Sequence, residues 1–184
     1  MRNDTACFID AGYLQNLLVT FNKPKIDYLK LIQTMCGQKS LLRAYYYDCK
    51  SYMSPVPTED EKDRQKKQLS FHEYLQRLPQ FECKFGRLEK RHDGSGNPFF
   101  EQKRVDVMLA IDLVTLSTKR LIQHALLMTG DSDMLPAVQI AKNEGVVVEL
   151  FHVEQSTHRE LIQTVDISNV IDQSWIDTIK KAHP

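Results

Sequence analysis

The chain has 184 residues, with 24 Lys and Arg against 24 Asp and Glu, so its formal charge is zero and its pI is about 7.0. A hydrophobic share of 42% beside 26% charged residues is that of a globular protein and excludes disordered, collagen-like and coiled-coil chains. Zero net charge argues against indiscriminate coating of nucleic acid, which needs many cation–phosphate contacts, but leaves room for a local basic patch.

Residues Met1–Thr5 lead straight into the apolar run Ala6–Ile9, with neither a signal-peptide core nor a small-residue cleavage site, so a cytoplasmic location is the default expectation. Ala6–Asp10 reads as a strand, Ala11-Gly12 as a turn, and the spacing of Tyr13, Leu14, Leu17, Leu18 and Phe21 as a helix. Ile26–Met35 keeps helical spacing and Gly37 can stop it; Leu41–Tyr47, rich in Tyr, is a second strand, which completes a βαβ unit. Ser51–Pro57 is a loop, and Glu59–Leu78 is a solvated helix with balanced charges.

Phe81–Leu88 reads as a third strand, followed by a turn or mobile loop over Arg91–Pro98. Val105–Leu116 carries apolar residues on more than one face, which predicts a largely buried helix. Ala125–Thr129 is a strand, Gly130–Asp133 a turn, and Met134–Glu144 a helix that accepts Pro136 in its first turn. Val146–Phe151, apolar except for Glu149, has the pattern of a buried parallel strand. The tail Glu160–Lys181 has weaker periodicity and is expected to pack on the same core through anchors from Leu161 to Ile179. Strands alternating with helices imply a three-layer α/β, Rossmann-like domain with a mostly parallel sheet, and residues 1–184 read as a single domain. No apolar stretch approaches the ~20 residues of a membrane-spanning helix.

Open α/β sheets place ligand sites at the carboxyl ends of strands, where strand order reverses. Asp10, Asp131 and Asp133 fall at strand ends, and Asp106 lies in the first turn of the following helix. One such Asp is more often a turn residue or helix cap than a ligand; the joint pattern across two βα units is what points to a site. Converging carboxylates repel one another, and a divalent cation removes that cost. Oxygen ligands favour Mg²⁺ or Mn²⁺, and Mg²⁺ keeps waters, one of which can attack a phosphodiester. The helix starting near Met134 would aim its amides at the same place. The four cysteines, Cys7, Cys36, Cys49 and Cys83, are scattered in sequence without a Cys-x-x-Cys pair, which argues against zinc or disulfide frameworks.

Three segments, Cys7–Asp10, Lys103–Asp112 and Met128–Pro136, resemble in order and spacing the motifs of the NYN domain, the PIN-like nuclease family that includes the LabA-like bacterial proteins. The resemblance covers about residues 5–171. It implies a ribonuclease centre with one or two metal ions, Mg²⁺ or Mn²⁺, and with Asp10, Asp106, Asp131 and Asp133 as both catalytic and metal-binding residues. It also places Ser132 beside the acids and Lys103 at the scissile phosphate. Asp112 matches a further acid of the motif, but at about 100° per residue it lies roughly 240° round the helix from Asp106, and it is read as structural or supporting. The first motif departs from the family pattern Phe-Ile-Asp-Gly-x-Asn: Ala11, Gly12 and Tyr13 follow Asp10, and Asn16, one turn further on, is the candidate substitute for the missing Asn.

Between residues 84 and 104 six bases (Lys84, Arg87, Lys90, Arg91, Lys103, Arg104) face three acids. This segment, above all Arg87, Arg91 and Arg104, can track an RNA backbone, and its loop can act as a lid with Phe99 or Phe100 stacking on a base. A solvated hairpin with ordinary surface charges explains the same residues. None of the six histidines has metal-ligand spacing; His152, just past a strand end, is the one to watch. The leading expectation is a metal-dependent endoribonuclease acting on RNA. The alternatives are a catalytically weak RNA- or protein-binding module on the same fold, and phosphoryl chemistry on a small molecule. A homodimer is expected only as the commonest assembly of soluble proteins, since no segment marks an interface.

Overall fold

Alternation along the central strands sets up the layers. In β1 (Thr5–Asp10), Cys7 and Ile9 join one buried cluster while Ala6 and Phe8 join another on the opposite face, so the strand needs cover on both sides. The same division separates Tyr46 from Tyr45 and Tyr47 in β2 (Leu41–Lys50). The computed structural model describes residues 4–181, apart from the side chains of Lys90, His92, Pro98, Phe100, Glu101 and Gln102.

The remaining strands are β3 (Phe81–His92), β4 (Pro98–Lys103), β5 (His124–Met128), β6 (Val147–His152) and β7 (Ile167–Val170). They form one sheet of order β4-β3-β2-β1-β5-β6-β7. Six strands are parallel, and β4 runs antiparallel to β3 at the edge. The chain winds outward from β1 through β2 and β3, then returns to the other side of β1 with β5. The strand order therefore reverses between β1 and β5, the place where such sheets open a crevice.

Helices α1 (Ala11–Thr20), α2 (Tyr28–Cys36), α3 (Glu59–Gln76) and α7 (Gln173–Ile179) contribute to the cluster built around Ile9 and Tyr46. Helices α4 (Val105–Thr118), α5 (Leu135–Asn143) and α6 (Arg159–Thr164) contribute to the cluster around Phe8 and Tyr47. Side chains of Asp10, Asp27, Thr58 and Asp172 cap α1, α2, α3 and α7, with a reciprocal capping box between Thr58 and Glu61.

The three-layer α/β expectation holds, with four local differences. Helix α1 starts at Ala11 with no intervening turn, because Asp10 caps it directly. The segment read as a turn or mobile loop over Arg91–Pro98 is the turn of a β-hairpin with both of its flanks in strands: β3 runs to His92, β4 pairs back, and the Asp93 N–H donates to the Asn97 carbonyl at 2.9 Å. Helix α4 buries Val105, Leu109 and Leu113 along one stripe but exposes Val107 (61%) and Ile111 (57%), since the sheet covers only one of its faces. The tail packs on the core through Leu161, Val165, Ile171, Ile176 and Ile179, yet it also contributes β7, whose Ile167 and Val170 are exposed on the sheet edge.

Candidate active site

Asp10 ends β1, and the strand's parity turns it toward the side covered by α4. Its Oδ1 accepts hydrogen bonds from the backbone N–H groups of Gly12 at 2.8 Å and Tyr13 at 3.2 Å, which fixes the carboxyl group at the start of α1. Burial nevertheless pushes its pKa up to about 6, with the two backbone donors opposing and the charges of Asp106 and Asp131 adding to the rise. Asp106 is also raised, first by burial and then by Asp131 and Asp133. Asp10, Asp106 and Asp131 therefore stand within electrostatic reach of one another, and Asp133 stands within reach of Asp106.

Neighbouring β1 and β5 are in register through Ile9 and Met128, so the turn after β5 emerges beside Asp10. Asp131 caps the short 3-10 turn Ser132–Met134, its Oδ1 accepting from the Asp133 N–H at 2.9 Å. Ser132 is partly buried in that turn, and Asp133 is exposed. Asp106 arrives from the hairpin side. Gly86 in β3 lets β4 pass so close that an added Cβ would lie 2.4 Å from the Lys103 carbonyl oxygen. Arg104 then turns the chain into α4 with a left-handed φ of 78°, a conformation that non-glycine residues adopt at some cost.

Tyr13 does something the sequence did not announce. Its hydroxyl lies 2.7 Å from Thr157 Oγ1 and accepts from the Val153 N–H at 3.1 Å, reaching into the loop after β6. Its ring also sits against Gly130: a Cβ there would be 2.6 Å from the ring and 2.4 Å from the Ser156 carbonyl oxygen. Tyr13 thus joins the cap of α1 to the Gly130–Asp131 turn. The signal available in the sequence was the pairing of a bulky residue after Asp10 with a glycine before Asp131. Asn16 is exposed on α1 and lines a surface cavity with Gln15, Leu18, Val19, Lys23 and Pro24.

The basic segment is partly compensated. Lys84 is drawn inward to Asp112, 2.8 Å from Oδ1, while the Tyr47 hydroxyl donates to Asp112 Oδ2 at 2.8 Å. Asp112 is therefore a structural anchor for α4. Exposed Arg87 and Arg91 both pair with Glu89, the latter at 3.7 Å. Arg104 is exposed and Lys103 partly buried, immediately before α4. Phe99 is exposed on β4, and the Phe100 side chain lies outside the described residues. His152 is buried in β6, with Nε2 2.8 Å from Ser168 Oγ and its pKa lowered by burial; it links β6 to β7.

Among the described residues, no three His, Cys, Asp or Glu side chains stand close enough to enclose a metal ion by themselves. The donor set consists of carboxylate oxygens whose mutual repulsion is unrelieved, which suits a hard cation held by one or two carboxylates, waters and substrate oxygens. No helix among the described residues is long and apolar enough to cross a membrane. The homodimer expectation finds no support in this geometry.

The family model of the NYN domain matches residues 4–172. An uncharacterized protein of Sinorhizobium fredii is 42% identical over 53 residues, a match spanning 29% of this chain and 25% of that relative. A crystal structure of a Vibrio parahaemolyticus protein of unknown function superimposes with a TM-score of 0.66 at 20% identity, covering 98% of both chains. That likeness extends to the whole α/β architecture, with its largely parallel central sheet.

Proposed function

The chain belongs to the NYN domain family, a group of nuclease-like domains tied to RNA, and from that premise we propose that it is a metal-dependent endoribonuclease. The proposed site is the crevice between β1 and β5, with residues 5–171 as the catalytic core. The observation that carries this reading is the gathering of Asp10, Asp106 and Asp131 within electrostatic reach of one another, at the point where the strand order reverses. Carboxylates left in that state favour a cation that shares them.

Among Asp10, Asp106, Asp131 and Asp133, one or two carboxylates would hold Mg²⁺ or Mn²⁺ directly, and the others would hold its waters. When bound, the ion supplies charge neutralisation at the phosphate and an activated water for in-line attack. The chain's own groups prepare the place. Gly12 and Tyr13 N–H groups fix Asp10, the Asp133 N–H fixes Asp131, and Tyr13 holds the Gly130–Asp131 turn against α1. Lys103 and Arg104, three and two residues before Asp106, bring positive charge to the scissile phosphate, and Ser132 orients a neighbouring acid. Arg87 and Arg91 track the RNA backbone along the hairpin, with Glu89 limiting their non-specific pull.

The test is incubation of labelled single-stranded RNA with the protein in Mn²⁺, Mg²⁺ or EDTA, beside the Asp131→Asn variant. Cleavage that needs the metal and falls by at least about 100-fold in the variant is the expected result. RNA binding without cleavage under every condition would replace this reading with that of a binding module on a nuclease fold.

A further inference from the structure

Toward the amino edge of the sheet, away from the acidic crevice, two thiols that are 29 positions apart in sequence meet. Cys7 Sγ in β1 lies 3.7 Å from Cys36 Sγ at the end of α2, and both cysteines are free. Cys7 is fully buried; Cys36 is 5% exposed and lines a surface cavity of about 280 Å³ with Gln33, Lys39, Leu41 and Phe81. Ionisable groups surround the pair. Lys39 Nζ is 3.0 Å from Glu149 Oε1, and His124 Nδ1 is 3.8 Å from the same oxygen.

These surroundings treat the two sulfurs differently. The contact with Cys7 as donor lowers the Cys36 pKa; the Lys39 ammonium adds to this, while burial and Glu149 oppose it. Cys7 is raised by the same hydrogen bond and by burial, so it stays a thiol. Burial raises Cys49 and pushes Cys83 up to about 12. The chain thus holds one thiolate-prone sulfur at a cavity wall, with a second thiol already in contact behind it.

We propose that Cys7 and Cys36 are a modification site: a dithiol that a hydroperoxide converts into an intramolecular disulfide. The Cys36 thiolate attacks one peroxide oxygen, the O–O bond breaks, and hydroxide or alkoxide leaves, giving a sulfenic acid on Cys36. The Cys7 sulfur then attacks the Cys36 sulfur. The S–S bond forms, the S–O bond breaks, and the hydroxyl leaves with the Cys7 proton as water. Two thiols are oxidised by two electrons in all, and one peroxide is reduced. The sulfurs close from 3.7 Å to a bond of about 2.05 Å. Because the second thiol is in contact before oxidation, condensation precedes further oxidation of Cys36. The bond ties the end of α2 to β1 three residues before Asp10, and its formation does not depend on the nuclease reading.

The experiment treats the full chain with hydrogen peroxide, alkylates remaining thiols in denaturant, and maps the peptides. The expected result is a linked Cys7–Cys36 peptide and, before alkylation, an intact mass lower by about 2 Da, both reversed by dithiothreitol. Cys7→Ala should stop at a Cys36 sulfenic acid that dimedone traps, and Cys36→Ala should give neither product. A Cys49→Ser/Cys83→Ser variant, which keeps the pair intact, should give the same crosslink and serves as the test if either single variant fails to fold. Retention of both thiols in that variant, or their conversion to sulfinic acid without a crosslink, would overturn the proposal.

Discussion

Asp10 and Asp48 lie near the carboxyl ends of neighbouring parallel strands and are both largely buried, but they live in opposite circumstances. Asp48, on the α3 side of β2, receives His72 Nε2 at 2.8 Å, its neighbour's Cys49 N–H at 2.7 Å and the more distant Gln68 amide at 3.4 Å. Asp10, on the α4 side of β1, has two backbone donors but faces the like charges of Asp106 and Asp131. Asp112 resembles Asp48, held by Lys84 and Tyr47. A buried carboxylate given partners secures the fold, whereas one set against other carboxylates stores repulsion that a ligand can relieve.

The contrast is open to direct attack. The largest stability effect is expected at Asp48. His72→Ala removes its close partner and strands a buried charge, which should cost about 3 kcal/mol, read from urea unfolding. A loss under about 1 kcal/mol would mean that Asp48 is not compensated in the way described.

Asp10 should respond in the opposite direction. Its folded-state pKa of about 6 lies above that of a carboxyl in the unfolded chain, so the native state keeps a proton that the unfolded chain has already lost. Stability should therefore fall as pH rises from about 4 to about 6, and stay at the lower level above that window. In EDTA, Asp10→Asn keeps a capping side chain and should stabilise the protein near neutral pH by on the order of 2–3 kcal/mol. That gain should disappear below about pH 4, a dependence that thermal melts across pH will show. A destabilised variant at neutral pH would contradict the cost of burying this carboxylate beside Asp106 and Asp131.

The smallest expected effect tests what holds the crevice together. Tyr13→Phe leaves the ring on Gly130 but deprives the buried Val153 N–H of its acceptor, at a cost of about 1–2 kcal/mol by the same unfolding assay. A neutral substitution would assign the contact between Tyr13 and the loop after β6 to packing alone.

Much of this was legible in the residues. Apolar runs, caps and glycine stops located the central strands and most helices, because those signals act within a few positions. Asp10 and the Gly130–Asp133 turn could be read as crevice residues because strand ends in a parallel sheet share an edge. Elsewhere the local signal was silent. Pro98–Lys103 carries Pro and charge, and only pairing with β3 makes it a strand. Ile167–Val170 is likewise a strand because β6 offers an open edge. Val107 and Ile111 look like core in sequence, yet α4 has only one covered face.

The sequence by itself determined the three-layer α/β plan and the choice of acids, since both rest on short periodicities and on residue types at strand ends. Only the tertiary structure decided which carboxylates received partners, that Tyr13 reaches the loop after β6, and that Cys7 meets Cys36. Each of these depends on which strands and helices become neighbours across tens of positions. Electrostatic compensation, close packing and thiol contact act through space, so no local pattern records them.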